Sequence, residues 1–196
     1  EPGNKFLKNI IEDVFKFITS KPKNSKPKLI SFDPTAEKGP KQLDVHHINS
    51  VWKKNESIYI NGTHTIICYY IKKNKLACFS RGNLGNHNLR PYKNGVLLCD
   101  TNANLITYKD TNGNILESFK ITKHNKEELI NSSLPDGYAR QRFARGLCVD
   151  QNDIIVGGSS PATISVYQFR NQNAIKAIRL SRDVRNSIHG LEIWPY

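Results

Sequence analysis

Residues 87–121 read "HNLRPYKNGVLLCDTNANLITYKDTNGNILESFKI". Four short apolar runs lie inside this stretch: "HNLRPY" from 87, "VLLCDTN" from 96, "NLITYKD" from 104 and "ILESFKI" from 115. Turn-forming residues separate them. In "KDTNGN", residues 109–114, the pair Asn112-Gly113 offers two positions that accept positive φ, the backbone a tight hairpin needs. The pattern predicts four antiparallel strands joined by short turns.

The same order recurs on both sides. First strands are expected at "HINSVW" from 47, "HNLRPY" from 87, "RGLCVD" from 145 and "HGLEIW" from 189. Their starts lie 40, 58 and 44 residues apart, and the long interval holds an insertion, "KHNKEELINSSLPDGYARQR". The underlying period is therefore roughly forty residues. Second strands follow as "SIYINGT", "VLLCDTN" and "IIVGGSS". Third strands read "TIICYYI", "NLITYKD" and "TISVYQF". Fourth strands read "KLACFS", "ILESFKI" and "AIKAIRL".

Four antiparallel strands per unit of that length is the signature of a β-propeller blade. A blade cannot bury both faces alone, and stacking blades around an axis solves this. The expected fold is an all-β propeller with three full repeats and partial ones, read as part of a longer array. "PKLISFDP", residues 27–34, resembles the outer part of a preceding blade. Ahead of it, "KFLKNIIEDVFKFIT" (5–19) spaces apolar residues as a helix does. The stripe Phe6, Ile10, Val14, Phe15 and Phe17 should be an attachment face. "SKPKNSKPK" (20–28) then reads as a linker. The expected organisation is 1–26 helix and linker, and 27–196 blades.

The chain carries 29 Lys and Arg against 17 Asp and Glu, a net charge of +12. A basic surface attracts polyanions through counterion release, but no nucleic-acid motif accompanies the charge. Nucleic acid is therefore a poor candidate partner. No run of apolar residues is long enough to span a membrane as a helix. The cysteines Cys68, Cys78, Cys99 and Cys148 form no CxxC pair and sit among apolar residues, so they read as buried free thiols. Free thiols and the lack of a visible signal peptide point to the cytoplasm. No cofactor is expected.

In a propeller the first strands line a central channel, so equivalent positions converge at one mouth. The first aligned position holds His47, His87, Arg145 and His189. Asn49, Asn88 and Arg90 flank it, with His46 and Glu192 close in sequence. The ends of the second strands add Thr63, His64, Asp100, Thr101 and Ser159. Hydrogen bonding between blades is one use for these polar groups, and a pocket is the other. Three imidazoles could hold zinc with an open position, but the fixed charge of Arg145 argues against a dication. Arginine and imidazole donors suit a small anion: carboxylate, sulfate or phosphate. No metal site is expected. A protein partner for the basic rim is a further option, and whether the chain is an enzyme stays open.

"HHINSV…YINGT", "GNHNLRPYKNGVLLCDTNANLI" and "GYARQRFARGLCVDQNDIIVGGSS" together resemble an uncharacterised bacterial β-propeller family, a domain of unknown function. The resemblance covers about residues 45–194. It departs at "QRF", which separates Arg140 from Arg145, so either arginine could be the family's counterpart. The family carries no established activity. "HHINSV" is also similar, over about ten residues, to a channel strand of the bacterial arylsulfotransferases. That likeness implies a group-transfer enzyme with a histidine as nucleophile or base.

Overall fold

The computed structural model describes residues 48–62, 66–70, 75–80 and 85–194, with 66–70 and 75–80 described as backbone. All lie in the unit running from Ile48 to Tyr196. The expected helix and linker (1–26), the strand at 27–34, and His46, His47, Thr63 and His64 fall outside the described residues.

Among the described residues twelve strands form three antiparallel sheets of four. The first sheet comprises β1 (Ile48–Lys54), β2 (Ser57–Gly62), β3 (Ile66–Tyr70) and β4 (Lys75–Ser80). The second comprises β5 (Asn86–Tyr92), β6 (Gly95–Asp100), β7 (Leu105–Lys109) and β8 (Ile115–Lys120). The third comprises β9 (Gly146–Val149), β10 (Ile155–Ser159), β11 (Thr163–Tyr167) and β12 (Lys176–Arg179). In every sheet the strands follow in chain order, each paired with its neighbour. All twelve fall where the repeat predicts them. The described residues are thus all-β and built of propeller-type blades. Among the described residues the one helical element is a 3-10 turn at Lys126–Glu128, and no helix is long and apolar enough to cross a membrane.

Alternation explains how the sheets stack. In β11, Thr163, Ser165 and Tyr167 are buried, while Ile164 and Val166 are half-exposed. This is the period of two that gives a strand one inward face. β6 is buried along its whole length because it has a blade on each side. Its Leu97 and Cys99 join Phe119, Leu147, Ile155 and Tyr167 in the core shared with the third blade. Its Val96 and Leu98 meet Leu89, with Tyr59 of the first blade packed against them. That is why "VLLC" reads as an unbroken apolar run. Rings reinforce the joint between the second and third blades. Tyr92 stacks on Phe169 at 5.5 Å, and Phe119 meets Phe169 edge-on at 5.5 Å and Tyr167 at 5.7 Å.

Two expectations need correction. Of the pair Asn112-Gly113, Gly113 alone has positive φ (86°). The turn is organised by Asp110, whose carboxylate accepts from the backbone N–H groups of Asn112 and Asn114 at 2.8 and 2.9 Å. An Asx-type bond of this kind supplies the bend without a second left-handed residue. The other correction concerns "HGLEIW", residues 189–194, which forms no regular strand. A first strand needs a second to complete its ladder, and the described residues contain none for it. The segment nevertheless lies beside the inner end of the third blade. The side chain and carbonyl of Ile188 sit within about 3 Å of where a Cβ on Gly146 or Gly158 would be.

Candidate functional site

The first strands gather as the repeat requires, with β5 in contact with both β1 and β9. β5 itself is irregular. Its pairing with β6 shifts between His87 and Arg90, and Asn88 has φ +41°. A bulge leaves backbone groups without ladder partners. The first blade supplies them. Asn49 Nδ2 donates to the Asn86 carbonyl at 2.7 Å, and Asn49 Oδ1 accepts from the Asn88 N–H at 3.3 Å. Ser50 Oγ accepts from the Leu89 N–H at 3.0 Å, and Asn61 Nδ2 holds Asn49 Oδ1 at 2.7 Å. Asn49 therefore bridges blades, one of the two uses foreseen for these polar positions.

Arg90 leaves the bulge pointing inward and is only 8% exposed. Its guanidinium lies 4.1 Å over the Trp52 ring. It donates to the Leu191 carbonyl at 2.7 Å and takes both Glu192 oxygens, at 2.9 and 3.3 Å. This two-pronged pair holds the Glu192 carboxyl below its ordinary range. A cavity of about 550 Å³ opens here, lined by Asn49, Ser50, Trp52, Asn88, Arg90 and Glu192 among others.

A second group forms around Phe143. Arg145 sits with its Cζ 4.4 Å from that ring, and the His87 ring centroid is 6.3 Å away on a tilted plane. Arg145 Nη1 lies 3.4 Å from His189 Nε2 and 3.5 Å from Nδ1. So even a split marks a neighbour standing beside the ring rather than one aimed hydrogen bond. Burial lowers the pKa of Arg145. Burial and then the Arg145 charge lower that of His189. Arg145 has no carboxylate partner among the described residues. Arg140 is used differently. It donates to Asn104 Oδ1 and the Thr101 carbonyl, fastening the β6–β7 turn, with its guanidinium 5.2 Å from the Phe143 ring.

His87 has its tautomer set by its neighbours. Thr101 Oγ1 donates its proton to the Ala144 carbonyl at 2.8 Å. The 3.0 Å contacts of His87 Nδ1 with Thr101 Oγ1 and the Gly85 carbonyl then both require a proton on Nδ1. In the neutral ring the lone pair is on Nε2, which is buried.

The first-position residues thus divide. Arg145 and His189 touch, and His87 is linked to them through Phe143. Arg90, Asn49 and Asn88 belong to the Trp52 cavity, and His47 is outside the described residues. Sequence reasoning missed Trp52 and Phe143. Trp52 was visible as the end of "HINSVW". Phe143 lay hidden in "QRF" and gave no repeat signal. Among the described residues no group of three His, Cys, Asp or Glu side chains could hold a metal ion. Of the cysteines whose side chains are described, Cys99 and Cys148 are free and buried.

No family model matches the chain, and no curated protein matches it. The likenesses to an uncharacterised propeller family and to arylsulfotransferases therefore rest on the quoted motifs alone. Solved structures do match in fold. The chain is similar to the computationally designed Ika4 protein, with 13% identity and a TM-score of 0.51, covering 84% of this chain and 88% of that one. It is also similar to the WD40 β-propeller domain of Doa1, with 15% identity and a TM-score of 0.53 over 74% of this chain. It spans 42% of the Doa1 chain. At such identities the likeness speaks for the fold, a β-propeller architecture, and for nothing finer.

Proposed function

We propose that this is a binding domain whose ligand is a small anion held at the inner end of the blades, with Arg145 and His189 as its donors. One observation carries the reading. Arg145 is partly desolvated and has no acid beside it, whereas Arg90, equally central, is neutralised by Glu192. A buried cation without a counterion is costly unless something supplies one. His87 would act from across Phe143. Asn49, Asn88 and Arg90 would flank the site from the Trp52 cavity, and His47 is the fourth candidate by its place in the repeat.

Calorimetry with sulfate, phosphate and acetate tests this, at about pH 5.5 and about pH 8, on either side of the ordinary histidine range. Binding should be tighter at the acidic pH, with protons taken up as the anion raises the His189 pKa. Because that pKa is depressed in the free protein, the gain in affinity should level off only below the usual histidine value. Arg145→Lys should weaken binding by losing the planar fork of donors. Equal or absent binding at both pH values would end the proposal.

The group-transfer alternative has one observation in its favour. The anchored Nδ1–H of His87 leaves Nε2 as the basic nitrogen, as a general base or nucleophile requires. Its burial counts against that role. Turnover of an aryl sulfate, lost in His87→Gln, would support it.

A further inference from the structure

Away from the channel, a second cavity of about 370 Å³ opens between the end of β8, the insertion that follows it, and the loop leading into β12. Its lining is lopsided in charge. Lys120, Lys123 and Arg142 contribute three cations, Thr122 and Asn173 are neutral, and no acidic residue takes part. None of the three cations belongs to an ion pair among the described residues. The floor is apolar. Ile121 is 3% exposed, and Ala174 and Ala177 are short enough to leave the space open.

Arg142 adds an independent sign. Its φ is +67°, a conformation that a long side chain adopts at a cost, and its N–H is fixed to the Ser160 carbonyl at 2.7 Å. Strained backbone held by its surroundings gathers at binding sites.

We infer that this cavity is a second binding site, for a small organic anion of two or more negative charges with a compact apolar body. The anionic group meets the three cations, and the apolar body lies on Ile121, Ala174 and Ala177. A phosphomonoester or a polycarboxylate would satisfy the same donors.

The test titrates the full chain with phenyl phosphate, citrate and inorganic phosphate. The first and second probes separate the two ligand chemistries, and the third lacks the apolar body. Saturable binding of phenyl phosphate or citrate, tighter than that of inorganic phosphate, is the expected result. Ala177→Leu fills the cavity without changing charge and should weaken that binding at least about tenfold. Arg142→Gly accepts the backbone angle and removes the guanidinium, so it should keep or raise stability while binding is lost. Repeated in an Arg145→Lys background, which weakens the channel site, the titration should still show this binding, and its loss there would assign it to the channel and overturn the inference. Absence of saturable binding would overturn the inference, as would an Ala177→Leu variant that binds normally. So would an Arg142→Gly variant that unfolds more readily, since Arg142 would then be a structural anchor.

Discussion

Gly157 and Gly158 are neighbours on β10, and the alternation of a strand turns them to opposite sides. Neither has a positive φ, so alanine fits either backbone and the neighbours decide the outcome. A Cβ on Gly157 would stand 2.5 Å from Ile106 Cδ1 and 3.2 Å from the Tyr167 ring. Ile106 and Tyr167 are both fully buried, so neither can retreat. Overpacking of this kind costs about 1–3 kcal/mol. Reduced freedom of the unfolded chain returns about 0.4–1 kcal/mol. Gly157→Ala should therefore lose on the order of 1–2 kcal/mol of stability. A Cβ on Gly158 would stand 2.5 Å from Ile188 Cγ2 and 2.7 Å from its Cβ. Ile188 lies in the irregular segment after β12 and can move outward, giving up about 1 kcal/mol of partial burial. The entropic gain nearly offsets that. Packing alone thus leaves Gly158→Ala close to neutral, but the shift should separate Glu192 from the buried Arg90 and His189 from Arg145. A buried cation left without its partner costs about 3–5 kcal/mol, so Gly158→Ala should lose more stability than Gly157→Ala. Urea unfolding reads the first quantity. Trp52 fluorescence in a Trp194→Phe background reads the second, because the Arg90 guanidinium lies on the Trp52 ring. A neutral Gly157→Ala, or a Gly158→Ala that loses stability with Trp52 fluorescence unchanged, would refute the assignment of faces.

Asn49→Ala strands the Asn86 carbonyl and the Asn88 N–H together. At about 1–3 kcal/mol for each unsatisfied group, urea unfolding should register a loss larger than that of Ser50→Ala. Phe119→Ala empties the aromatic joint between the second and third blades and should cost about 3–5 kcal/mol. His189 and His124 both have pKa values depressed by burial first and a nearby arginine second. The unfolded chain therefore takes up protons before the folded one does, and stability should fall as pH drops below about 6.5. Sulfate should lessen that fall in the wild-type chain and not in Arg145→Lys. At the other extreme, burial and the bond to Asp153 push the Tyr92 phenol up to about 12. Its contribution is complete below the ordinary phenol value and should be lost as pH climbs from about 10 through the raised value, an effect absent in Tyr92→Phe.

The strands were legible because their determinants are local. "VLLC" announces a strand buried on both faces, and Asp110 and Asp150 announce turns within four residues of themselves. The site was legible only where the repeat reached it. Phase alone found Arg145, His87 and His189, but it could not find Phe143, which stands in an insertion with no counterpart in the other blades. Nor could it foresee that Glu192 would engage Arg90, a pairing made across 102 residues. Asn49 was found for its phase, yet its bonds to the β5 bulge follow from a register shift that composition does not encode. The segment 189–194 shares its leading His and closing aromatic with the first strands at 47–52 and 87–92. It departs from them because a ladder depends on its neighbour and not on its own sequence.

The mended bulge also bears on how such an array can grow. The second blade's inner strand keeps its irregular path because Asn49 and Ser50, on a different blade, complete it. A gene segment encoding residues 85–121 alone would carry the irregularity without its remedy. Copied elsewhere in the array, it would meet a neighbour whose side chains do not answer the exposed amides. Duplication should therefore succeed in pairs, with the first and second blades travelling together. Single-blade transplants would need an asparagine and a hydroxyl placed in advance on the receiving strand.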